Sequence, residues 1–328
     1  MGTYSIIKLT ELSPLHIGTG KENYDFSANQ LHSDTISAAL ASIRCRLGKS
    51  DDIESFMNSF SISSAFPYID SHLFLPRPIG KVDINIIDSN NSYASLKQLK
   101  KIKYFEVGTW NRLVNNETIE LSRNQILNEF AFDNKSYQFN LPYQATVTQR
   151  VTVPRSGDDT ATPFFFDWTF FSPNAGLYFI TDAKGELFDE ILNLFKLLGE
   201  QGIGTDKNIG GGKFNVEHAQ IDLCKCDNAN ALITLSLYIP TKDELSNIKL
   251  ESSRYDLLLR GGYMSGSRDI DLWHIRKKSI YMFNVGSVFS TQHSLNGKIV
   301  DLCPTEYNAP HMHPVYRSGR PFVLPIKI

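Results

Sequence analysis

The chain has 328 residues, is 41% hydrophobic and carries a formal net charge of −2. This size allows one large or two medium cores, and the near-zero charge excludes a uniformly basic surface, so any nucleic-acid surface must be local. The four cysteines form no CxxC pair, which excludes a disulfide framework and indicates a reducing compartment. The close pair His311 and His313 has no cysteine neighbours, so zinc is not favoured there, and we expect neither metal nor cofactor.

The apolar runs of the sequence do not have the pattern of a signal peptide or of a membrane helix. The first apolar run contains Lys8 and Glu11 and lacks a signal-peptide layout. The longest apolar runs, such as 231–239, are about half the length of a membrane helix. We therefore expect a cytoplasmic protein with no membrane contact.

The first 228 residues combine strand and helix patterns. Apolar residues recur at helical spacing after Ser33 and again after Gly185, and short β-branched runs surround both stretches. The predicted elements are strand 4–12, helix 33–47, strand 65–70, strand 176–183, helix 186–201 and strand 213–224. This order is the βαββαβ order of a ferredoxin-like unit.

Between about 75 and 165 the apolar residues no longer follow a helix or strand spacing. We interpret this region as a long insertion in the first domain. Within it, residues 144–153 alternate apolar and polar side chains, as one strand of a β-hairpin arm would.

Residues 229–328 are β-rich and show no convincing long helix. The predicted strands are 231–239, 255–263, 278–289 and 321–328. The sequence therefore predicts an α+β protein with two ferredoxin-like (RRM-like) domains, 1–228 and 229–328, the first carrying the insertion.

The stretch GIGTDKNIGGGKF at 202–214 raises the main functional question. A Walker A loop is excluded because Phe214 stands where a hydroxyl residue is needed. A dinucleotide loop runs from a strand into a helix, whereas this stretch runs from a helix into a strand. A surface loop that an RNA backbone can approach fits the order, with Lys207 and Lys213 on either side. Gly202 and Gly204 are explained as well by capping of the preceding helix.

These residues resemble the glycine-rich loop of the RAMP superfamily of CRISPR-associated RNA-binding proteins. Four further segments are similar to the family of the fourth Csm subunit of type III-A (Csm) effector complexes: SPLHIGTG at 13–20, LHSDTISAAL at 31–40, RGGY at 260–263 and KKSIYMFNVGSVF at 277–289. The resemblance covers both ends and the middle of the chain, and covers 75–165 poorly.

The resemblance implies a non-catalytic scaffold. Such a subunit caps the crRNA 5′ handle, docks the large polymerase/cyclase-type Csm subunit and abuts the adjacent backbone RAMP subunit. A β-hairpin thumb in the family kinks the guide–target duplex, which would bring region 144–163 close to target RNA near the handle.

Candidate RNA-binding residues cluster in the loop 202–213, in the arm and in segment 254–278. That segment has six basic residues against three acids, with Tyr263 and Trp273 interleaved, as suits single-stranded RNA. For the loop we expect backbone amides of 210–212 to hold phosphate. The candidates are His16, Arg150, Arg155, Lys207, Asn208, Gly210, Gly211, Gly212, Lys213, Phe214, Arg254, Arg260, Gly261, Gly262, Tyr263, Lys277 and Lys278.

Some residues fit more than one role. His16 could be the general base of a metal-independent crRNA-processing endoribonuclease, although a packing or RNA-contacting histidine is favoured. The arm arginines fit a solvated surface as well as an RNA contact, and Asp34 is by default an N-cap or first-turn acid. The sequence is also compatible with the equivalent subunit of a type III-B (Cmr) complex and with a plain protein-interaction module.

Overall fold

The computed structural model describes most of the chain and shows a mixed α+β architecture, as predicted. The described residues are 2–18, 27–28, 30–87, 92–134, 140–153, 160–226, 228–264, 272, 275–305 and 313–328. No helix among them is long and apolar enough to cross a membrane.

Six α-helices occur in these described ranges. They are α1 (Ser33–Arg46), α2 (Ile53–Asn58), α3 (Ser92–Lys101), α4 (Val107–Val114), α5 (Gly185–Gln201) and α6 (Lys242–Asn247). Short 3-10 turns lie at Arg123–Gln125 and Lys207–Ile209.

The strands between residues 2 and 223 include long antiparallel ones and several of two to five residues. They are β1 (Gly2–Thr10), β2 (Phe66–Ile69), β3 (His72–Pro76), β4 (Ile84–Ile86), β5 (Tyr104–Glu106), β6 (Ile119–Leu121), β7 (Ile126–Leu127), β8 (Phe130–Ala131), β9 (Tyr143–Thr152), β10 (Thr162–Phe171), β11 (Ala175–Thr181) and β12 (Asn215–Leu223).

The strands of the C-terminal region are mostly three or four residues long. They are β13 (Ala231–Thr234), β14 (Lys249–Arg254), β15 (Leu257–Arg260), β16 (Ile280–Phe283), β17 (Val288–Ser290), β18 (Ile299–Asp301), β19 (Tyr316–Ser318) and β20 (Val323–Ile326).

The largest sheet has eight strands in the order β12-β1-β11-β2-β3-β5-β8-β7. Strand β1 lies between β11 and β12 and is antiparallel to both. Strands from the region predicted as an insertion extend this sheet beyond β3. A separate four-stranded sheet, β14-β17-β13-β20, forms the centre of the C-terminal region.

The eight-stranded sheet has a hydrophobic core on each face because side chains alternate along a strand. Ile7 and Phe179 face the side covered by α1, α2 and α5. Ile6 and Ile180 face the opposite side, where they join one core with side chains of the C-terminal sheet such as Ile233. The C-terminal region is therefore packed on the sheet face that α1, α2 and α5 leave open.

Two predicted strands of the C-terminal region differ from the structure. The strand predicted over 231–239 ends at Thr234, because the next residues bond to other segments: Leu235 N–H donates to Phe322. The strand predicted over 278–289 divides into β16 and β17 at a turn where Gly286 has a φ of +83°.

Candidate nucleic-acid interface

The glycine-rich loop begins at the end of α5 and is held by segment 13–18. Gly202 has a φ of +80° and donates its N–H to Leu198 O at 2.8 Å, which confirms the predicted helix cap. Gly204 has a different role: a Cβ there would lie 2.3 Å from His16 O. The prediction that Gly204 caps the helix is wrong, since close approach to segment 13–18 explains this glycine.

The next glycines differ in how much space surrounds them. A Cβ on Gly212 would lie 1.9 Å from Ile203 O, and one on Gly211 would lie 2.8 Å from the Trp168 ring. Gly210 has a φ of +95° with no atom within 4 Å of a Cβ position. Of the three consecutive glycines, only Gly210 faces open space.

The backbone amides of this loop are already hydrogen-bonded. Gly210 N–H donates to Lys207 O, Gly211 N–H to Asp206 O and Gly212 N–H to Pro14 O, at 2.9–3.2 Å. The prediction that these amides hold phosphate is therefore wrong, because each donates within the chain. The side chains are the groups that the loop offers to a ligand.

Four side chains of the loop project into solvent, and two of them are basic. Lys207, Asn208, Ile209 and Lys213 are exposed. Phe214, in contrast, is 6% exposed and belongs to the core between α5 and the sheet. Phe214 was predicted to contact RNA, and its burial contradicts this prediction.

The arm predicted at 144–153 is one strand of an antiparallel hairpin, as expected. Its register runs from Tyr143 opposite Phe171 to Thr152 opposite Thr162. One face, in the half of the arm farther from Tyr143 and Phe171, contacts the glycine-rich loop. Arg150 there pairs with Asp206, with Nη1 and Oδ2 2.7 Å apart, and its guanidinium lies 4.3 Å from the centre of the Phe166 ring. The charge of Arg150 is thus balanced within the chain.

The other face of the arm exposes apolar side chains. Val147, Val151 and Phe165 are each more than half exposed, and Val153 is 73% exposed. Alternation along two paired strands places them on the same side, away from the loop. A sheet face of this kind is suited to contact with another molecule.

His16 is buried at the base of the arm. It is 1% exposed, its ring lies 4.5 Å from that of Phe166, and its Nδ1 is 2.7 Å from Asp167 O. A carbonyl only accepts hydrogen bonds, so Nδ1 carries the proton. The predicted RNA contact by His16 is contradicted by this burial, which agrees with the favoured packing role.

Arg260 of segment 254–278 faces inward. Its Nε and Nη2 donate to the Asp34 carboxylate at 2.9 and 3.1 Å, and Arg317 donates to the same carboxylate. Asp34 has no exposed side-chain surface. Burial would raise the pKa of Asp34, but the two guanidinium charges outweigh burial and lower the pKa to about 2. Asp34 is thus a buried ion-pair centre in the first turn of α1, while the N-cap is His32.

The other candidates of this segment lie around Arg260. Lys277 is half-buried, whereas Arg254 and Lys278 are exposed. Gly261, Gly262 and Tyr263 follow Arg260, and the Arg276 guanidinium lies 5.1 Å from the centre of the Tyr263 ring. Three named sequence features, Arg155, Trp273 and His311, lie outside the described residues.

Sequence reasoning did not identify the contacts of three important residues: Asp206, Trp168 and Arg317. Asp206 could have been suspected from its place between the glycines, but its partner is 56 positions away. Arg317 lies 283 positions from Asp34, and no local pattern connects them. Within the described ranges, no group of three or more His, Cys, Asp or Glu side chains could hold a metal ion.

The C-terminal third matches a known protein family. Residues 227–326 match the family described as the CRISPR Csm4 C-terminal domain. A curated relative, the CRISPR system Cms protein Csm4 of Thermococcus onnurineus, is 26% identical over 259 residues, which are 77% of this chain and 81% of that protein. The Csm4 protein of Mycobacterium tuberculosis is 25% identical over 309 residues, which are 93% of each chain.

Two solved structures share the fold along the whole chain. The crystal structure of a Csm3-Csm4 subcomplex in the type III-A CRISPR-Cas interference complex has a TM-score of 0.64 and 18% identity, covering 99% of this chain and 100% of that one. The crystal structure of a Csm1-Csm4 cassette in complex with cA4 has a TM-score of 0.63 and 18% identity, covering 100% and 99%.

Proposed function

We propose that this chain is a Csm4-family protein of a type III-A CRISPR complex. In that complex it would be a non-catalytic subunit that binds and caps the crRNA 5′ handle. The resemblance to the fourth Csm subunit is confirmed. Handle binding is the further step, and the glycine-rich loop supports it.

One observation carries the proposal: Lys207, Asn208 and Lys213 project from a loop that the rest of the chain holds rigidly. Hydrogen bonds from segment 13–18 and packing against Trp168 fix the loop backbone. Exposed ammonium groups on a fixed backbone can neutralise phosphates with little loss of backbone conformational entropy on binding. The contact we propose is therefore between lysine side chains and the RNA backbone.

Two protein partners follow from the relatives: the large subunit, Csm1, and the backbone subunit, Csm3. Csm4 proteins of this fold have been crystallised with each of them. Two apolar surfaces of this chain are available for such contacts. One is the outer face of the arm, and the other is the antiparallel pair β15–β16, where Leu257, Leu259 and Tyr281 are 48–63% exposed. In this complex the arm would lie near target RNA.

The finer fold assignment belongs to the same proposal. We regard the first domain, 1–228, as ferredoxin-like because β12-β1-β11-β2 with α1 and α5 follows the order predicted from sequence. For 229–328 the assignment rests on one sheet of four antiparallel strands, β14-β17-β13-β20, and the short helix α6. Assembly on crRNA places the protein in the cytoplasm.

The test of handle binding is a charge reversal on the loop. We expect Lys207→Glu with Lys213→Glu to abolish retention of crRNA by the assembled complex while the fold survives, because both side chains are exposed. The matched control is Lys184→Glu, exposed at the other end of α5, roughly 25 Å away at 1.5 Å per residue.

The RNA that co-purifies with each complex is quantified by gel electrophoresis and mass spectrometry. Wild-type retention by the folded double variant would refute handle binding by this loop. The co-purifying subunits would also separate a Csm complex from a type III-B complex.

The absence of catalysis is proposed because His16 is buried and its Nδ1 proton is donated to Asp167 O. A general base must reach the 2′-hydroxyl whose proton it takes. We expect repeat RNA incubated with the purified protein to remain intact. Specific cleavage that His16→Ala abolishes would establish an endoribonuclease instead.

A further inference from the structure

A group of four charged side chains lies where the C-terminal region meets the start of α1. Asp34 is at its centre and accepts hydrogen bonds from Arg260 and Arg317. Lys277 is held next to them by its backbone, because its N–H donates to Gly262 O at 2.9 Å, one residue from the Gly261 carbonyl that Arg317 contacts. We call these four residues the α1 basic cluster. Arg260 also donates to Thr35 Oγ1 at 2.9 Å, and Arg317 to Gly261 O at 3.3 Å.

The α1 basic cluster has more positive than negative charge. It contains three cations and one carboxylate, which leaves a net charge of +2. His32 adds none at neutral pH, because burial lowers its pKa to about 4. In the part of the chain that the structure describes, Asp34 is the only acid whose charge affects both Arg317 and Lys277.

Among the described residues, Lys277 is the member of the cluster that has no salt-bridge partner. The described residues provide no salt bridge for its ammonium group, since both arginines occupy the Asp34 carboxylate. Burial, assisted by the charges of Arg317 and Arg260, lowers its pKa to about 8. An ammonium ion that is partly removed from water and lacks a partner is unfavourable, so a bound anion would stabilise it.

The cluster can be reached from solvent at one side. Exposure of the side chains rises from 0% for Asp34 through 9% for Arg317 to 20% for Arg260. Lys277 is half-buried, and Gly262 beside it has no atom within 4 Å of a Cβ position. A small anion can therefore approach Lys277 past a stretch of backbone that carries no side chain.

We propose that the α1 basic cluster is a phosphate-binding site for the RNA backbone, in which Lys277 Nζ is the principal contact and the paired arginines supply the surrounding positive potential. A phosphodiester brings one negative charge and oxygen acceptors for an ammonium group. This inference rests on the proposed RNA-binding function and adds a second phosphate contact, on the C-terminal region, to that of the glycine-rich loop.

The first experiment removes the charge of Lys277 from the full-length chain. Lys277→Met leaves the Asp34 ion pairs in place, whereas a change at either arginine would break them. With single-stranded handle RNA, we expect roughly tenfold weaker binding, as for one lost charge-assisted contact. The slope of log K against log salt should fall by about 0.7, the value for one phosphate on a single strand.

Two variants control this measurement. Lys277→Arg keeps the positive charge and should retain most of the affinity. Lys242→Met removes the same charge from an exposed position on α6 and should bind RNA as the wild type does. Equal affinity and equal salt slope for Lys277→Met and Lys242→Met would overturn the site.

The second experiment detects occupancy directly. The full-length protein is acetylated with and without handle RNA or inorganic phosphate, and modification of each lysine is measured by mass spectrometry. We expect RNA to protect Lys277 and to leave Lys242 unprotected. Protection of Lys277 by inorganic phosphate but not by RNA would overturn RNA as the ligand. Equal acetylation of Lys277 in all samples would overturn the site.

A wild-type chain that binds no RNA would contradict the proposed function itself, while RNA binding with Lys277 unprotected would contradict only this inference.

Discussion

The glycine-rich loop and the α1 basic cluster use charge in opposite ways. In the loop, the backbone amides of Gly210 to Gly212 donate inward and Lys207 and Lys213 point outward. In the cluster, Arg260 and Arg317 point inward to a carboxylate that is completely buried. Both regions looked alike in the sequence, as glycines beside basic residues.

This difference shows that a basic residue next to glycine can serve either a ligand or the fold. The lysines of the loop can be changed at little cost to stability, because water already solvates them. The arginines of the cluster cannot, because each compensates a charge removed from water. Stability measurements should therefore separate the two regions.

The largest effect is expected for Asp34→Asn. It leaves the partly buried guanidinium groups of Arg260 and Arg317 without a counter-charge, so we expect the free energy of unfolding to fall by about 3–5 kcal/mol in urea denaturation. Glu117→Gln is the matched control, because Glu117 pairs with Arg112 and both side chains are 51% exposed. If both variants lost the same free energy, the cluster would not differ from a surface ion pair.

The same carboxylate predicts a pH dependence with a definite sign. The pKa of Asp34 falls from 3.8 to about 2 in the folded state. Its contribution to stability is fully present above the unfolded pKa and is lost as pH falls through the folded value. We expect the difference in unfolding free energy between wild type and Asp34→Asn to be constant above pH 3.8 and to shrink towards pH 2. A difference independent of pH across this window would contradict the ion-pair explanation.

A smaller effect is expected within the loop. Gly212→Ala puts a Cβ at 1.9 Å from Ile203 O at a φ of +64°, so we expect a loss of roughly 2–4 kcal/mol in unfolding free energy. Gly210→Ala meets no atom within 4 Å and has only its positive φ to overcome, at a cost of about 1 kcal/mol. Equal losses in urea denaturation would show that the loop backbone is less tightly held than its contacts indicate.

Periodicity predicted the long elements of the fold well. The strand predicted at 4–12, the helix at 33–47 and the helix at 186–201 correspond to β1, α1 and α5. Helices α3 and α4 and the short strands β4 to β8 were not predicted, since elements of a few residues carry little periodic signal and are fixed by tertiary contacts. The apolar run 231–239 was predicted as one strand because burial from several sides produces the same composition as a strand.

The site was predicted in part. The loop, its exposed lysines and the hairpin arm followed from local sequence. The burial of His16 did not, because it depends on Asp167 and Phe166, about 150 positions away. The inward orientation of Arg260 depends on Asp34, 226 positions away. Single-sequence reasoning identifies the residue types of a surface, whereas the partner that buries or frees each side chain is set by the fold.

The smallest effect is expected for Arg150, which joins the arm to the loop. Its guanidinium pairs with Asp206 and lies over the Phe166 ring, but its side chain is 30% exposed. An ion pair whose side chains are 30% and 32% exposed and a cation–π contact each contribute little. We therefore expect Arg150→Ala to lose about 1 kcal/mol in unfolding free energy. Arg150→Lys keeps the charge and loses the planar contact with the ring, and should lose about half as much. If hydrogen exchange in Arg150→Ala becomes faster only in β9 and the loop, Arg150 holds the arm in place. If exchange is unchanged, the packing of Trp168 on Gly211 is sufficient to hold it.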